Sequence, residues 1–163
     1  MRVLFAAYEA APLFKKGGLG DVVGSLPKAL KELGVSPSIV LPYYDAITVG
    51  HKRKIGSLSI VFKDREERVD MYETYFPQTS IPTYLFSNRY FKEAKNGSQQ
   101  FEEYAFFSKA VAEFVVESQT LIHTSFDILH LHDWHVALVP LFLHNRRTSI
   151  PIPKTLLKNS IIL

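Results

Sequence analysis

Residues 2–41 run through four patterns in a fixed order: an apolar run, a glycine turn, an amphipathic stretch and a second apolar run. That order leaves few topologies open. Residues 2–8 (RVLFAAY) are nearly continuously apolar, as in a strand buried on both faces of a parallel sheet. Residues 9–20 form a loop containing proline and glycine. After it, residues 21–33 (DVVGSLPKALKEL) place apolar side chains at 22, 23, 26, 30 and 33, close to helical spacing, and Gly34 supplies a stop. Pro27 removes a backbone hydrogen bond and is expected to kink this helix near its first turns. Residues 38–41 (SIVL), closed by Pro42, read as a second strand. The sum is a βαβ unit with an expected right-handed crossover.

The middle of the chain changes character. Residues 55–63 (IGSLSIVFK) and 68–76 (RVDMYETYF) alternate in part and flank DREE, which predicts a β-hairpin, with 83–86 (TYLF) as a further strand. The hairpin reads as an insertion or a sheet edge. Residues 92–100 are polar and read as a surface loop. In 101–118, Phe101, Tyr104, Ala105, Ser108, Val111, Ala112 and Val115 share one helical face. Residues 127–131 (DILHL) predict another buried strand, 134–145 another helix, and the first half of 154–163 a last parallel strand. The expected fold is therefore one α/β domain over 1–163, Rossmann-like and three-layered, with a mainly parallel sheet and a β-hairpin insertion.

Composition limits the function classes. With 47% hydrophobic and 21% charged residues the chain can bury an ordinary core. A net charge of +3 without any run of five like charges points to no nucleic-acid partner and suits small anionic ligands. Absence of cysteine excludes disulfides and Cys-ligated zinc and fits a reducing compartment. The start does not resemble a signal peptide, and no stretch approaches the roughly 20 apolar residues that span a bilayer. A cytoplasmic protein without a membrane partner is the expectation.

Three constellations carry chemistry. The first is KKGGLGD, at residues 15–21, in the loop where an open α/β sheet places its ligands. Glycines admit close backbone approach, a helix N-terminus favours anions, and a lysine adds a mobile cation. The spacing is neither G-x-G-x-x-G nor a Walker loop, since the lysines precede the glycines. Phosphate or nucleotide-sugar binding and a plain tight turn both remain open, and Asp21 also reads as a helix-start carboxylate. The second is HLHDWH, at 130–135, on the end of the DILHL strand. His130 and His132 point the same way; a metal would need a third ligand from elsewhere. His130 reads more simply as a core histidine satisfied by backbone, and His132, nearer the strand tip, is the better functional candidate. The third groups Glu9 and Pro12 with Tyr43, Tyr44 and Asp45 and with Asn88, Arg89 and Tyr90. Rings beside hydrogen-bonding groups suit carbohydrate, although surface tyrosines are common.

Together these motifs resemble the bacterial glycogen synthase and plant starch synthase family. Lys15-Lys16-Gly17-Gly18-Leu19 matches its K-x-G-G-L loop, Glu9 and Pro12 its preceding residues, and Asp21-Val22 the start of its helix. LPYY at 41–44, FSNRYF and HLHDWH match further stretches, so the resemblance covers about residues 1–155. It implies the N-terminal half of a GT-B fold and a retaining hexosyltransferase. That enzyme moves glucose from ADP-glucose or UDP-glucose to an α-1,4-glucan, needing no cofactor and no metal.

Residue by residue, the resemblance implies that Lys15 contacts the donor phosphates or sugar and that Gly17 and Gly18 give close approach to the diphosphate. Asp21 would hold donor or loop, Glu9 would lie near a sugar, and His132 would face the reacting glucose through its main chain or ring. Lys16 sits at the motif's variable position and takes no role; Asp133, Trp134 and His135 shape the turn. The family's nucleotide-binding domain is expected beyond this chain, and KNSIIL at the end departs from the family's TIHN-x-A continuation in the manner of a truncation or shifted frame. The 92–100 loop is shorter and less aromatic than the family's, so acceptor contacts are not assigned there. The resemblance implies an isolated chain that is inactive and open to self-association; the alternative reading, from another class, is a stand-alone non-catalytic nucleotide-sugar or sugar-phosphate binding module. A metal-dependent protein using His130 and His132 is the third reading.

Overall fold

A computed structural model of the chain describes residues 1–92, 98–145 and 160–162. The strands β1 (Arg2–Ala6), β2 (Ser36–Pro42), β3 (Arg53–Phe62), β4 (Arg65–Tyr75), β5 (Pro82–Ser87), β6 (Ile128–Leu131) and β7 (Ser160–Ile162) form one sheet in the order β3-β4-β5-β2-β1-β6-β7. From β5 to β7 every pairing is parallel; β3 and β4 join antiparallel at the other edge. The helices are α1 (Gly18–Glu32), α2 (Ser98–Ile122) and α3 (Val139–Asn145).

Leu4 through Ala7 are completely buried, which requires both faces of the sheet to be covered. One face belongs to α2: Phe107 packs on Tyr8 and Phe86, and Phe114 on Tyr84, Phe86 and Phe126. Side chains alternate across a strand, so Phe5, Ile39 and Leu85, also fully buried, belong to the opposite face, which α1 is left to cover. The result is three layers. Within them β1 has its two neighbours β2 and β6 on opposite sides, where an open α/β sheet leaves a crevice at the strand ends.

Several expectations change. The helix after the glycine turn begins at Gly18, not Asp21, so Pro27 lies well past its first turns. Of the two readings of the hairpin, the sheet edge holds and the separate insertion does not, because β4 pairs with β5 and β3 ends the sheet. Its turn is only Lys63-Asp64, and Arg65, Glu66 and Glu67 of DREE belong to β4. In α2, Tyr104, Ser108, Val111, Ala112 and Val115 are buried, but Phe101 is 63% exposed, because the core side runs through Phe106, Phe107, Ala110 and Phe114. The final strand falls in the second half of 154–163; the first half and most of the 92–100 loop lie outside the described residues. No helix among the described residues is long and apolar enough to cross a membrane.

Candidate functional site

The chain leaves β1 and turns through residues 9–17 before entering α1. Glu9 directs that turn: its Oε2 accepts hydrogen bonds from the backbone N–H of Lys16 (2.5 Å) and of Gly17 (2.7 Å). A carboxylate on two N–H groups at a helix start makes charge-assisted bonds in a favourable dipole field. Gly17, extended, is the N-cap that follows from it. The glycines then divide by purpose. A Cβ on Gly24 would stand 2.3 Å from the carbonyl oxygen of Ala11, and one on Gly20 would be 3.0 Å from Lys15 Cγ. Those two glycines, four apart on one helical face, let the loop lie on α1, and Ala11 N–H donates to the Gly20 carbonyl at 2.8 Å. Gly18 has nothing within 4 Å of a built Cβ, so no packing demands a glycine there.

Lys15 closes the loop on the outside. Its Nζ lies 2.8 and 2.7 Å from the two carboxylate oxygens of Asp21, with both side chains about half exposed. Exposed pairs of this kind contribute little to stability and open readily.

The second motif meets the first through strand pairing. β6 lies beside β1 with Ala6 opposite Leu131, and His132 N–H donates to the Ala6 carbonyl at 3.0 Å. The rings of His130 and His132 lie 4.3 Å apart and pack on Phe5. Both are buried, and neither Nε2 has a hydrogen-bond partner among the described residues, so His130 is a core histidine whose Nε2 the backbone does not satisfy. Burial, reinforced by His130 and partly opposed by Asp133, lowers the His132 pKa to about 4; burial also lowers that of His130. Both rings are therefore neutral near pH 7.

Asp133 makes the turn that follows. Its backbone sits at φ 68°, ψ 174°, a region that costs a non-glycine residue about 1–3 kcal/mol. Its side chain accepts the Trp134 N–H at 2.6 Å, capping a 3-10 turn over Trp134–Val136. Among the described residues no three His, Cys, Asp or Glu side chains are grouped to hold a metal ion.

The third constellation separates except for Glu9 and Tyr44, which stay together. Tyr44 is buried and donates to Glu103 Oε1 at 3.1 Å, while Tyr43 lies under Lys52, whose Nζ is 4.4 Å from its ring centroid. Asn88 caps a 3-10 turn by accepting the Tyr90 N–H at 2.9 Å, and Arg89 pairs with Glu67. Around Glu9 the structure instead gathers Tyr8, Tyr44, Glu103, Tyr104 and His135 about a small cavity. Tyr8 and Glu103 escaped the sequence reading. Glu103, an acid beside the Phe106-Phe107 core side of α2, was the available signal.

A mainly parallel sheet with its glycine loop and histidine strand side by side at a switch point defines a Rossmann-like α/β domain. The chain belongs to the starch synthase catalytic domain family, whose model matches residues 2–157. It is 37% identical over 150 residues to glycogen synthase 1 of Synechocystis sp., covering 88% of this chain and 29% of that protein. With the glycogen synthase of Gloeobacter violaceus the identity is 39% over 151 residues, covering 89% and 31%. The catalytic domain of starch synthase IV from Arabidopsis thaliana, solved with ADP and acarbose, superposes with a TM-score of 0.76 at 26% identity, covering 99% of this chain and 32% of that one. Its GT-B fold is thereby matched, and the chain spans under a third of these proteins' lengths.

Proposed function

We propose that this chain is the N-terminal domain of a glycogen or starch synthase. The whole enzyme transfers glucose from ADP-glucose or UDP-glucose to the non-reducing end of an α-1,4-glucan with retention of configuration. The observation that supports this reading is the pairing of β1 with β6, which sets the Glu9-latched glycine loop and His132 at adjacent strand ends. In the reaction the bond from the sugar to the diphosphate breaks and negative charge grows on the leaving group. Lys15 meets that charge, exchanging its exposed Asp21 partner for a phosphate. Since Glu9 occupies the Gly17 N–H, close backbone approach falls chiefly to Gly18, where a Cβ would otherwise intrude on open space. Gly17 shapes the loop, and Asp21 parks the lysine between turnovers.

His132 contributes a neutral imidazole. Its N–H on the main chain is taken by Ala6, which leaves the main-chain carbonyl or the ring to face the sugar as the oxocarbenium-like transition state forms. The domain carrying the nucleotide site supplies the other wall, so the isolated chain binds donor weakly and turns over none.

Calorimetry tests this. ADP-glucose should bind this chain in the millimolar range, and Lys15→Ala should weaken it by roughly 10- to 100-fold, the worth of one charge-assisted bond. Glucose transfer by this chain alone, or micromolar binding indifferent to Lys15→Ala, overturns the reading.

A further inference from the structure

The parallel strands have a second end, and a cavity of about 340 Å³ lies there, within the roughly 300–1,000 Å³ usual for small-molecule sites. Its walls come from the starts of β1, β2 and β5, the last turn of α1 and the segment that joins α2 to β6. β1 alone, five residues at about 3.3 Å each, sets it roughly 15 Å from the glycine loop and His132. An open α/β sheet ordinarily binds at the other ends of its strands, so affinity here has to come from side chains. The backbone is already spent: Val35 N–H donates to the Leu30 carbonyl at 3.1 Å and Ser36 N–H to the Met1 carbonyl at 2.9 Å.

The side chains are of two polar kinds. Arg2 and Lys31 carry charge, and among the described residues no Asp or Glu lines the cavity. The Lys31 ammonium bonds the Ser80 hydroxyl and pairs with no carboxylate among the described residues. The Arg2 guanidinium meets Asp127 at 3.5 Å with both side chains nearly half exposed, a pair that opens readily. Asp127 is held in addition by the Arg2 backbone N–H at 2.7 Å, so the guanidinium can turn to another anion without releasing it. The remaining polar lining is hydroxyl, from Ser36, Ser38, Ser80, Thr124 and Tyr84. Ser38 and Tyr84 are buried and share a hydrogen bond.

Two cations with no carboxylate in the wall select an anion, and a phosphate group takes both the charge and the hydrogen bonds of Arg and Lys. Hydroxyls, which donate and accept, suit a hydroxyl-bearing body beside it. Entry is open on one side, because Lys31 and Ser80 also line a wider groove of about 830 Å³ that adds Lys28 and Glu32.

We propose that this cavity binds a phosphate monoester of a small polyhydroxylated molecule, its phosphate on Lys31 and Arg2 and its hydroxyls on Ser36, Ser38 and Thr124. The site stands apart from the donor reading, sharing no residue with the glycine loop or the histidine strand.

Nuclear magnetic resonance of the isotope-labelled chain tests it, with glucose 1-phosphate as the probe. Titration to about 20 mM, enough to fill a site with a Kd in the millimolar range, should shift the amide signals of Ser36, Ser38, Ser80 and Thr124 saturably. Inorganic phosphate should shift them with several-fold weaker affinity, and glucose should not shift them. Lys31→Gln keeps the length of the side chain and removes its charge; it should weaken glucose 1-phosphate at these amides about tenfold, one lost charge-assisted bond. Lys31 is exposed, so the variant should melt with the parent chain. No saturable shift, equal affinity in parent and Lys31→Gln, equal affinity for inorganic phosphate, or the same shifts from glucose overturns the site. The amides of residues 16–20 report the glycine loop in the same spectra, and their response to ADP-glucose in parent and Lys15→Ala tests the donor reading separately, so either can fail while the other stands.

Discussion

Glycines 18, 20 and 24 look alike in the sequence and differ in what they allow. Gly24→Ala would drive a methyl group to 2.3 Å from a backbone oxygen that cannot swing aside, so stability should fall by about 2–3 kcal/mol. Gly18→Ala meets open space and should leave stability unchanged or raise it by up to about 1 kcal/mol, while weakening donor binding. Urea midpoints separate the two, and equal losses would contradict the division of roles. His132 gives a pH signature. An unfolded histidine takes its proton near 6.5 and the buried one near 4, so the unfolded chain is protonated first as the pH drops. Stability contributed by the neutral ring is therefore complete above about 6.5, declines between about 6.5 and 4, and levels off below, by roughly 3 kcal/mol in all. His130 and His135 are lowered by burial too and add to the same slope. In His132→Gln the dependence of unfolding free energy on pH over that window should lose about one proton; an unaltered slope would exclude His132 as a source.

At the scale of elements, the hairpin β3–β4 shows where local rules held and where they fell short. Alternation located both strands, but the charged tetrapeptide suggested too wide a turn. Pairing continues to Phe62 opposite Arg65, which leaves two residues, Lys63 at φ 51° and Asp64 at φ 58°. Two positive φ values in a two-residue loop match the twist of the flanking strands and favour Asn-Gly. Lys63→Asn combined with Asp64→Gly should relieve about 1 kcal/mol of left-handed strain and raise the thermal midpoint by about 3 °C. A lower midpoint would show that the Lys63–Glu102 pair at 2.7 Å outweighs the turn. The start of α1 misled for the opposite reason. Glycines at 17, 18 and 20 argue locally against a helix, and the group that starts one there is Glu9, seven and eight residues upstream of the N–H groups it holds.

The whole molecule was legible where the sequence pattern is one-dimensional: apolar strands, the helix between β1 and β2, and the motifs at two strand ends. What pairing alone creates stayed hidden. Nothing in residues 2–8 and 127–131 says that they lie side by side, yet that pairing sets His132 against Ala6 and turns Tyr8 toward Glu103 and His135. The same holds for the antiparallel edge, which reads as an insertion or a sheet edge and is bound into the body as an edge. Met71 of β4 sits opposite Phe86 of β5, Phe62 of β3 packs on Phe106 of α2, and Lys109 of α2 donates to the Val61 carbonyl of β3. Leu58, Ile60, Val69 and Met71 belong to one core cluster with Leu4, Ile39 and Leu129. A core continuous from one sheet edge toward the other cannot lose the hairpin without uncovering α2. Unfolding should therefore be a single transition, with far-UV circular dichroism, dominated by the helices and sheet, and Trp134 emission, reporting the turn after β6, giving the same urea midpoint. An earlier dichroism change with emission still native would mean that β3 and β4 melt first as a separate unit, and the sheet would then have to be described as a core of parallel strands carrying an independent edge.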